Sequence, residues 1–228
     1  MTPSLAYKGN AMVRALLAVL FLALTACGGS SNGSPTTPGP AANAPVAVIL
    51  GDSLTAGPGL RTVDAYPALL QERARAAGLP HRVVNAGVSG DTTADGLRRV
   101  DAALVADTRV LVVALGANDG LLGVPVDTVK QNLRQIIQRA RGRNISVLLC
   151  GMESLPNNGL DYTIRFHNIF PELAAEFSVP LMPFLLQNVF GRSELNLPDG
   201  LHPNAAGMRV IAGEMWPFLE PLLRATSS

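Results

Sequence analysis

The stretch Val46-Ala47-Val48-Ile49-Leu50-Gly51-Asp52-Ser53-Leu54-Thr55-Ala56-Gly57 sets five apolar residues against a short, glycine-bounded turn. An unbroken apolar run of this length suits a strand covered on both faces. Four more short, β-branched runs follow at 82–85, 109–115, 145–150 and 179–184. Helical patterns separate them. Val129, Leu133, Ile136, Ile137 and Ala140 fall on one helical face, and a second pattern over 66–77 stops at Gly78. Met208, Ile211, Ala212, Met215, Leu219 and Leu222 line one side of a last helix. Strands alternating with helices predict a parallel sheet with both faces covered, a doubly wound α/β domain with strand order 2-1-3-4-5.

The chain of 228 residues has room for one full-sized domain or two small ones. Its hydrophobic fraction is 48% and its charged fraction 15%, against the roughly 25% charged of soluble globular chains. That surplus excludes a disordered or charge-tail protein. The 18 basic and 17 acidic residues leave a net +1, which offers no strong field to nucleic acid or anionic lipid. Two cysteines cannot build a disulfide framework.

Part of the apolar surplus lies ahead of the first strand. Lys8 and Arg14 precede an uninterrupted apolar run over 15–24, and no acidic residue occurs before Asp52. The run is far short of the ~20 residues of a spanning helix, so 1–26 reads as a secretory signal. It ends Leu24-Thr25-Ala26-Cys27, which resembles the bacterial lipoprotein lipobox. That resemblance implies cleavage before Cys27, lipidation of that cysteine, and an exported protein anchored to a bacterial membrane on its periplasmic side. An ordinary signal with an incidental cysteine is the alternative, and Met12 is an alternative start. Residues 27–45 are then the lipidated cysteine and a flexible, uncharged linker, leaving 46–228 as the folded domain. As a coil, 28–45 would span roughly 25 Å. Removing Lys8 and Arg14 with the signal turns the formal +1 into −1.

In doubly wound sheets function sits at the carboxyl ends of the strands. Four polar, glycine-rich segments fall there. They are 51–57, Asn85-Ala86-Gly87-Val88-Ser89-Gly90-Asp91-Thr92-Thr93, Gly116-Ala117-Asn118-Asp119-Gly120 and Asp199-Gly200-Leu201-His202-Pro203-Asn204. A serine hydroxyl needs a base to take its proton, and neutral histidine suits that task near pH 7. Ser53 and His202 are the candidate nucleophile and base. Asp199, three residues before His202 in a turn, is placed to fix the imidazole tautomer. An acyl-transfer intermediate also needs donors aimed at its oxyanion. The backbone N–H groups of Ser53 and Gly90 and the side-chain amide of Asn118 are the candidates, and glycine at 90 lets substrate approach the backbone.

These four blocks resemble those of the SGNH/GDSL hydrolase family, most closely its bacterial arylesterase and thioesterase/lysophospholipase branch. The resemblance covers nearly all of 46–225. It implies a flavodoxin-like three-layer α/β/α sandwich with a five-stranded parallel sheet and a Ser53–His202–Asp199 triad. It also implies an oxyanion hole from Ser53, Gly90 and Asn118, a small acyl-ester substrate and no cofactor. The expected reaction is hydrolysis of acyl esters (aryl esters, thioesters or lysophospholipids) through an acyl-enzyme. Segment 152–160, which shapes the acyl pocket in relatives, departs from the family pattern. A carbohydrate O-acetylesterase or acyltransferase of the same family stays open as an alternative, as does a non-catalytic lipoprotein binding module.

The remaining motifs read as structure. His81 and His167 are expected in structural or surface roles, and three scattered histidines without a Cys/His/Asp cluster predict no metal. Cys150 ends a strand as a small core hydrophobe. Arg134, Arg139, Arg141 and Arg143 read as a solvated helix face. A Gly-x-Ser-x-Gly match over 29–33 lies in the linker, without the strand–turn–helix setting of a nucleophile elbow.

Overall fold

The structure, a computed structural model, describes residues 44–227. The expected signal, Cys27 and all of the linker except Ala44 and Pro45 lie outside the described residues. Five strands form one parallel sheet: β1 (Val46–Gly51), β2 (Arg82–Gly87), β3 (Thr108–Ala114), β4 (Ser146–Cys150) and β5 (Leu181–Met182). Their order is β2-β1-β3-β4-β5, as expected. The central strand β1 is buried along its whole length and pairs in register with β2 from Val46–Arg82 to Gly51–Gly87. Its other neighbour, β3, shifts register once between Val46 and Ala47.

Strand order decides where the helices lie. The short α1 (Ser53–Ala56) and α2 (Tyr66–Ala76) carry the chain outward from β1 to β2. Then α3 (Thr93–Ala103), α4 (Ala117–Leu122), α5 (Val126–Arg141) and α6 (Leu160–Phe177) carry it back across β1 to β3, β4 and β5. Right-handed crossovers that run in opposite directions put their helices on opposite faces of the sheet. Accordingly α5 packs between α3 and α6, whereas α2 packs against the closing helix α7 (Ala205–Ala225). The result is a three-layer sandwich. Among the described residues no helix is long and apolar enough to cross a membrane.

The apolar stripes are where the periodicity puts them. Val129, Leu133, Ile136, Ile137 and Ala140 are fully buried, and Gly78 takes a left-handed φ of 70° just past α2. On α7 the buried stripe ends at Leu223, with Leu222 only half-buried, because Leu223 continues the four-residue step of Ile211, Met215 and Leu219. Cys150 is enclosed at the end of β4, and burial pushes its thiol up, so it is an inert core residue. The fifth strand is much shorter than its apolar run. The Val179 N–H is taken by the Ala174 carbonyl at the end of α6, and Pro180 and Pro183 have no N–H to give a ladder.

Candidate active site

β1 ends at Gly51 and turns directly into α1. Asp52 caps that turn, its Oδ1 accepting the Leu54 N–H at 2.9 Å. Two glycines allow the turn to sit low. A Cβ on Gly51 would fall 2.0 Å from Thr55 Oγ1, and one on Gly87 would fall 2.4 Å from the Ala56 nitrogen. Without side chains at these points α1 rests on the ends of β1 and β2, and Ser53 is left half-buried at the carboxyl edge of the sheet. Asp52 is fully enclosed beside it, and burial pushes its carboxyl up to about 7.

The segment before α7 folds back on itself. Asn196 and Pro203 form an antiparallel bridge, and the Leu197 N–H donates to the His202 carbonyl at 2.7 Å. Asp199 Oδ1 accepts the backbone N–H groups of Leu201 and His202 at 2.9 and 3.0 Å, and its Oδ2 lies 2.8 Å from His202 Nδ1. His202 Nε2 in turn lies 3.0 Å from Ser53 Oγ. The His202 N–H, the imidazole and the Leu201 N–H together hold the Asp199 carboxyl down at about 2. An ionised carboxylate on Nδ1 assigns the proton to that nitrogen, which leaves Nε2 free to accept from the serine hydroxyl.

The candidate oxyanion donors come from three segments. The N–H groups of Ser53 and Gly90 donate to no other described residue. Gly90 has φ of 86°, a left-handed conformation that favours glycine. Asn118 stands on the first turn of α4, so Gly116-Ala117-Asn118-Asp119-Gly120 is a loop entering a helix. Its Nδ2 donates to the Asp91 carbonyl at 2.8 Å and lies 3.4 Å from Asp52 Oδ2. Next to it the buried Asp119 accepts the Thr93 N–H and hydroxyl at 2.8 and 2.6 Å, which staples α4 to the start of α3. Burial raises the Asp119 carboxyl, with the Thr93 bonds opposing.

Ser53, Asn118 and His202 all face one cleft of about 320 Å³. Gly90 is not among the residues that line it; it precedes Asp91, whose carbonyl accepts the Asn118 amide. The cleft walls are apolar: Leu54, Leu121, Met152, Phe184, Leu186 and Phe190 line it, with Phe184 and Phe190 edge to face at 6.3 Å. Glu153, Ser154, Leu155 and Pro156 form another part of the wall. Glu153 there lies 2.7 Å from His167 Nδ1, so His167 braces the wall and stands apart from the serine. His81 is buried at the far end of the sheet with Nε2 3.1 Å from Thr226 Oγ1. The sequence reading missed the aromatic wall, because 179–184 looks like strand throughout and nothing in the chain marks Phe184 and Phe190 as facing the serine.

The family model described as GDSL-like lipase/acylhydrolase matches residues 49–210. Esterase TesA of Pseudomonas aeruginosa is 41% identical over 177 residues, covering 77% of this chain and 88% of that protein. The thioesterase 1/protease 1/lysophospholipase L1 of Escherichia coli K12 is 40% identical over 188 residues, covering 82% and 89%. The psychrotrophic esterase EstA from Pseudoalteromonas sp., solved inhibited by monoethylphosphonate, superposes with a TM-score of 0.74 at 32% identity, covering 78% of this chain and 98% of that one. Fold, blocks and likeness agree: the chain belongs to the GDSL-like lipase/acylhydrolase family.

Proposed function

We propose that the protein is a serine esterase that hydrolyses acyl esters by way of an acyl-enzyme on Ser53. The observation that carries this reading is the run Asp199–His202–Ser53, linked at 2.8 and 3.0 Å, at the mouth of an apolar cleft. Ser53 Oγ attacks the acyl carbonyl while His202 Nε2 takes its proton, and the same imidazole then protonates the leaving alcohol or thiol. Asp199 holds the ring and balances its charge. The N–H groups of Ser53 and Gly90 and the Asn118 amide stabilise the tetrahedral oxyanion. In the second half-reaction His202 activates water against the acyl-enzyme, which releases the acid and frees Ser53. At about 320 Å³ the cleft is at the small end of ligand pockets, and its Leu, Met and Phe lining favours an alkyl or aryl acyl group over a bare acetyl on a sugar. The esterase and thioesterase relatives support the same substrate class.

The test is hydrolysis of a p-nitrophenyl ester series by Ser53→Ala. Turnover should vanish with the thermal midpoint unchanged, and residual parent-level turnover would sink the assignment. For location, the lipobox-like Leu24-Thr25-Ala26-Cys27 supports export and lipid anchoring through Cys27. Mass spectrometry of the mature N-terminus should find acyl groups on Cys27; an unmodified Cys27 refutes it.

A further inference from the structure

The three candidate oxyanion donors sit on three chain segments, and the last backbone bond between the first two, from the Val88 N–H to the Gly51 carbonyl at 3.0 Å, falls short of both Ser53 and Gly90. The β1–β2 ladder stops at Gly51–Gly87, before both Ser53 and Gly90. One side chain from α3 bridges the gap. The Arg99 guanidinium donates from Nη2 to the Gly51 carbonyl at 2.8 Å, from Nη1 to the Ala86 carbonyl at 2.8 Å, and from Nε to Asp91 Oδ2 at 2.5 Å. Gly51 lies two residues before Ser53, while Ala86 and Asp91 flank Gly90. The Asp91 carbonyl, in the same residue that Arg99 grips by its carboxylate, accepts the Asn118 amide.

We propose that Arg99 is a positioning residue of the oxyanion hole: one planar guanidinium holds the nucleophile turn, the Gly90 loop and, through Asp91, the Asn118 amide in mutual register. The proposal rests on the esterase reading of Ser53. Its neighbour shows the contrast, since Arg98 pairs only with Asp95 on the exposed side of α3. Lysine cannot replace Arg99, because an ammonium is a point charge without the rigid fork that reaches three acceptors at once. No atom of Arg99 lines the cleft, so ground-state binding of the acyl chain is untouched by its loss. The oxyanion exists in both tetrahedral steps, so a loosened hole slows acylation and deacylation together and appears in kcat.

The experiment compares parent, Ser53→Ala, Arg99→Ala, Arg99→Lys and Asp91→Asn on p-nitrophenyl butyrate, each assayed well below its own thermal midpoint. Arg99→Ala and Arg99→Lys should lose about 10- to 100-fold in kcat with KM within about twofold, since misplacement by an ångström costs up to that much. Guanidinium chloride at low millimolar concentration should restore much of kcat to Arg99→Ala and none to Arg99→Lys. A merely structural role would move the midpoint and leave kcat of the folded variant intact, and that result overturns the proposal, as does a loss confined to KM. Should Arg99→Ala fail to fold, Asp91→Asn decides: it keeps the carbonyl that holds Asn118 and weakens only the charged link, so kcat should fall about fivefold at constant KM. An active Ser53→Ala would instead overturn the esterase reading, whereas a dead Ser53→Ala beside normal Arg99 and Asp91 variants removes the positioning role alone.

Discussion

Replacing Asp52 by asparagine should flatten the dependence of stability on pH. The parent carboxyl is raised from 3.8 to about 7, first by burial, with the Leu54 N–H opposing and Asp119 adding to the rise. Between those two values the folded protein keeps a proton that the unfolded chain has released. The folded state then binds more protons, so stability falls as pH rises through this window and levels off above about pH 7. A pKa unit corresponds to about 1.4 kcal/mol, so the full effect is on the order of 4 kcal/mol, with roughly half of it between about pH 5 and 7. Asparagine keeps an Oδ1 to accept the Leu54 N–H, so the cap survives and any fixed cost is independent of pH. Burial also shifts Asp119 upward and His81 downward, but both are present in parent and variant, so the difference between the two curves reports Asp52 together with its coupling to Asp119. The assay is urea unfolding followed by circular dichroism at four pH values from about 5 to 8. Parallel curves for parent and Asp52→Asn would refute the reasoning.

Four other outcomes follow from the site. Asn118→Ala removes one oxyanion donor and should lower kcat by about 10²- to 10³-fold with little change in KM, read by steady-state kinetics. Asp199→Asn leaves the loop folded but loses the charge that fixes the His202 tautomer, and should lower kcat by about 10²- to 10⁴-fold. Because Asp199 is held at about 2, the parent's pH–rate profile should show no break near pH 4; a break there would show that the carboxylate is not so held. Phe190→Ala opens the aromatic wall and should shift the p-nitrophenyl ester optimum toward longer acyl chains, checked by the ratio of kcat/KM across the series.

The sheet and the turns that carry the candidate triad were legible in the chain for a common reason. Parallel strands buried on both faces read as unbroken apolar runs, and the turns that follow them must be short, polar and glycine-rich. Ser53, Gly90, Asn118, Asp199 and His202 all fell in such turns, and chemistry alone separates nucleophile, base and donors. What was not legible depends on neighbours distant in sequence. Arg98 and Arg99 are indistinguishable in composition, and only the twist of α3 sends one to solvent and the other under the site. Gly51 and Gly87 read as loop residues, yet their role is to lack a Cβ where α1 touches the strand ends. The run at 179–184 was apolar enough for six residues of strand, but its two prolines and the end of α6 leave hydrogen bonds for two.

That stunted strand divides the molecule's labour. Ser53, Gly90 and Asn118 follow the carboxyl ends of β1, β2 and β3, where the bonds of Arg99 gather the first two segments. Phe184, Leu186 and Phe190 instead hang from β5, an edge with only two paired residues. These wall side chains can therefore change by substitution without touching the turns that carry Ser53, Gly90 and Asn118. Such a layout lets one hydrolytic engine be refitted for different chain lengths by altering wall side chains that themselves carry no reacting group.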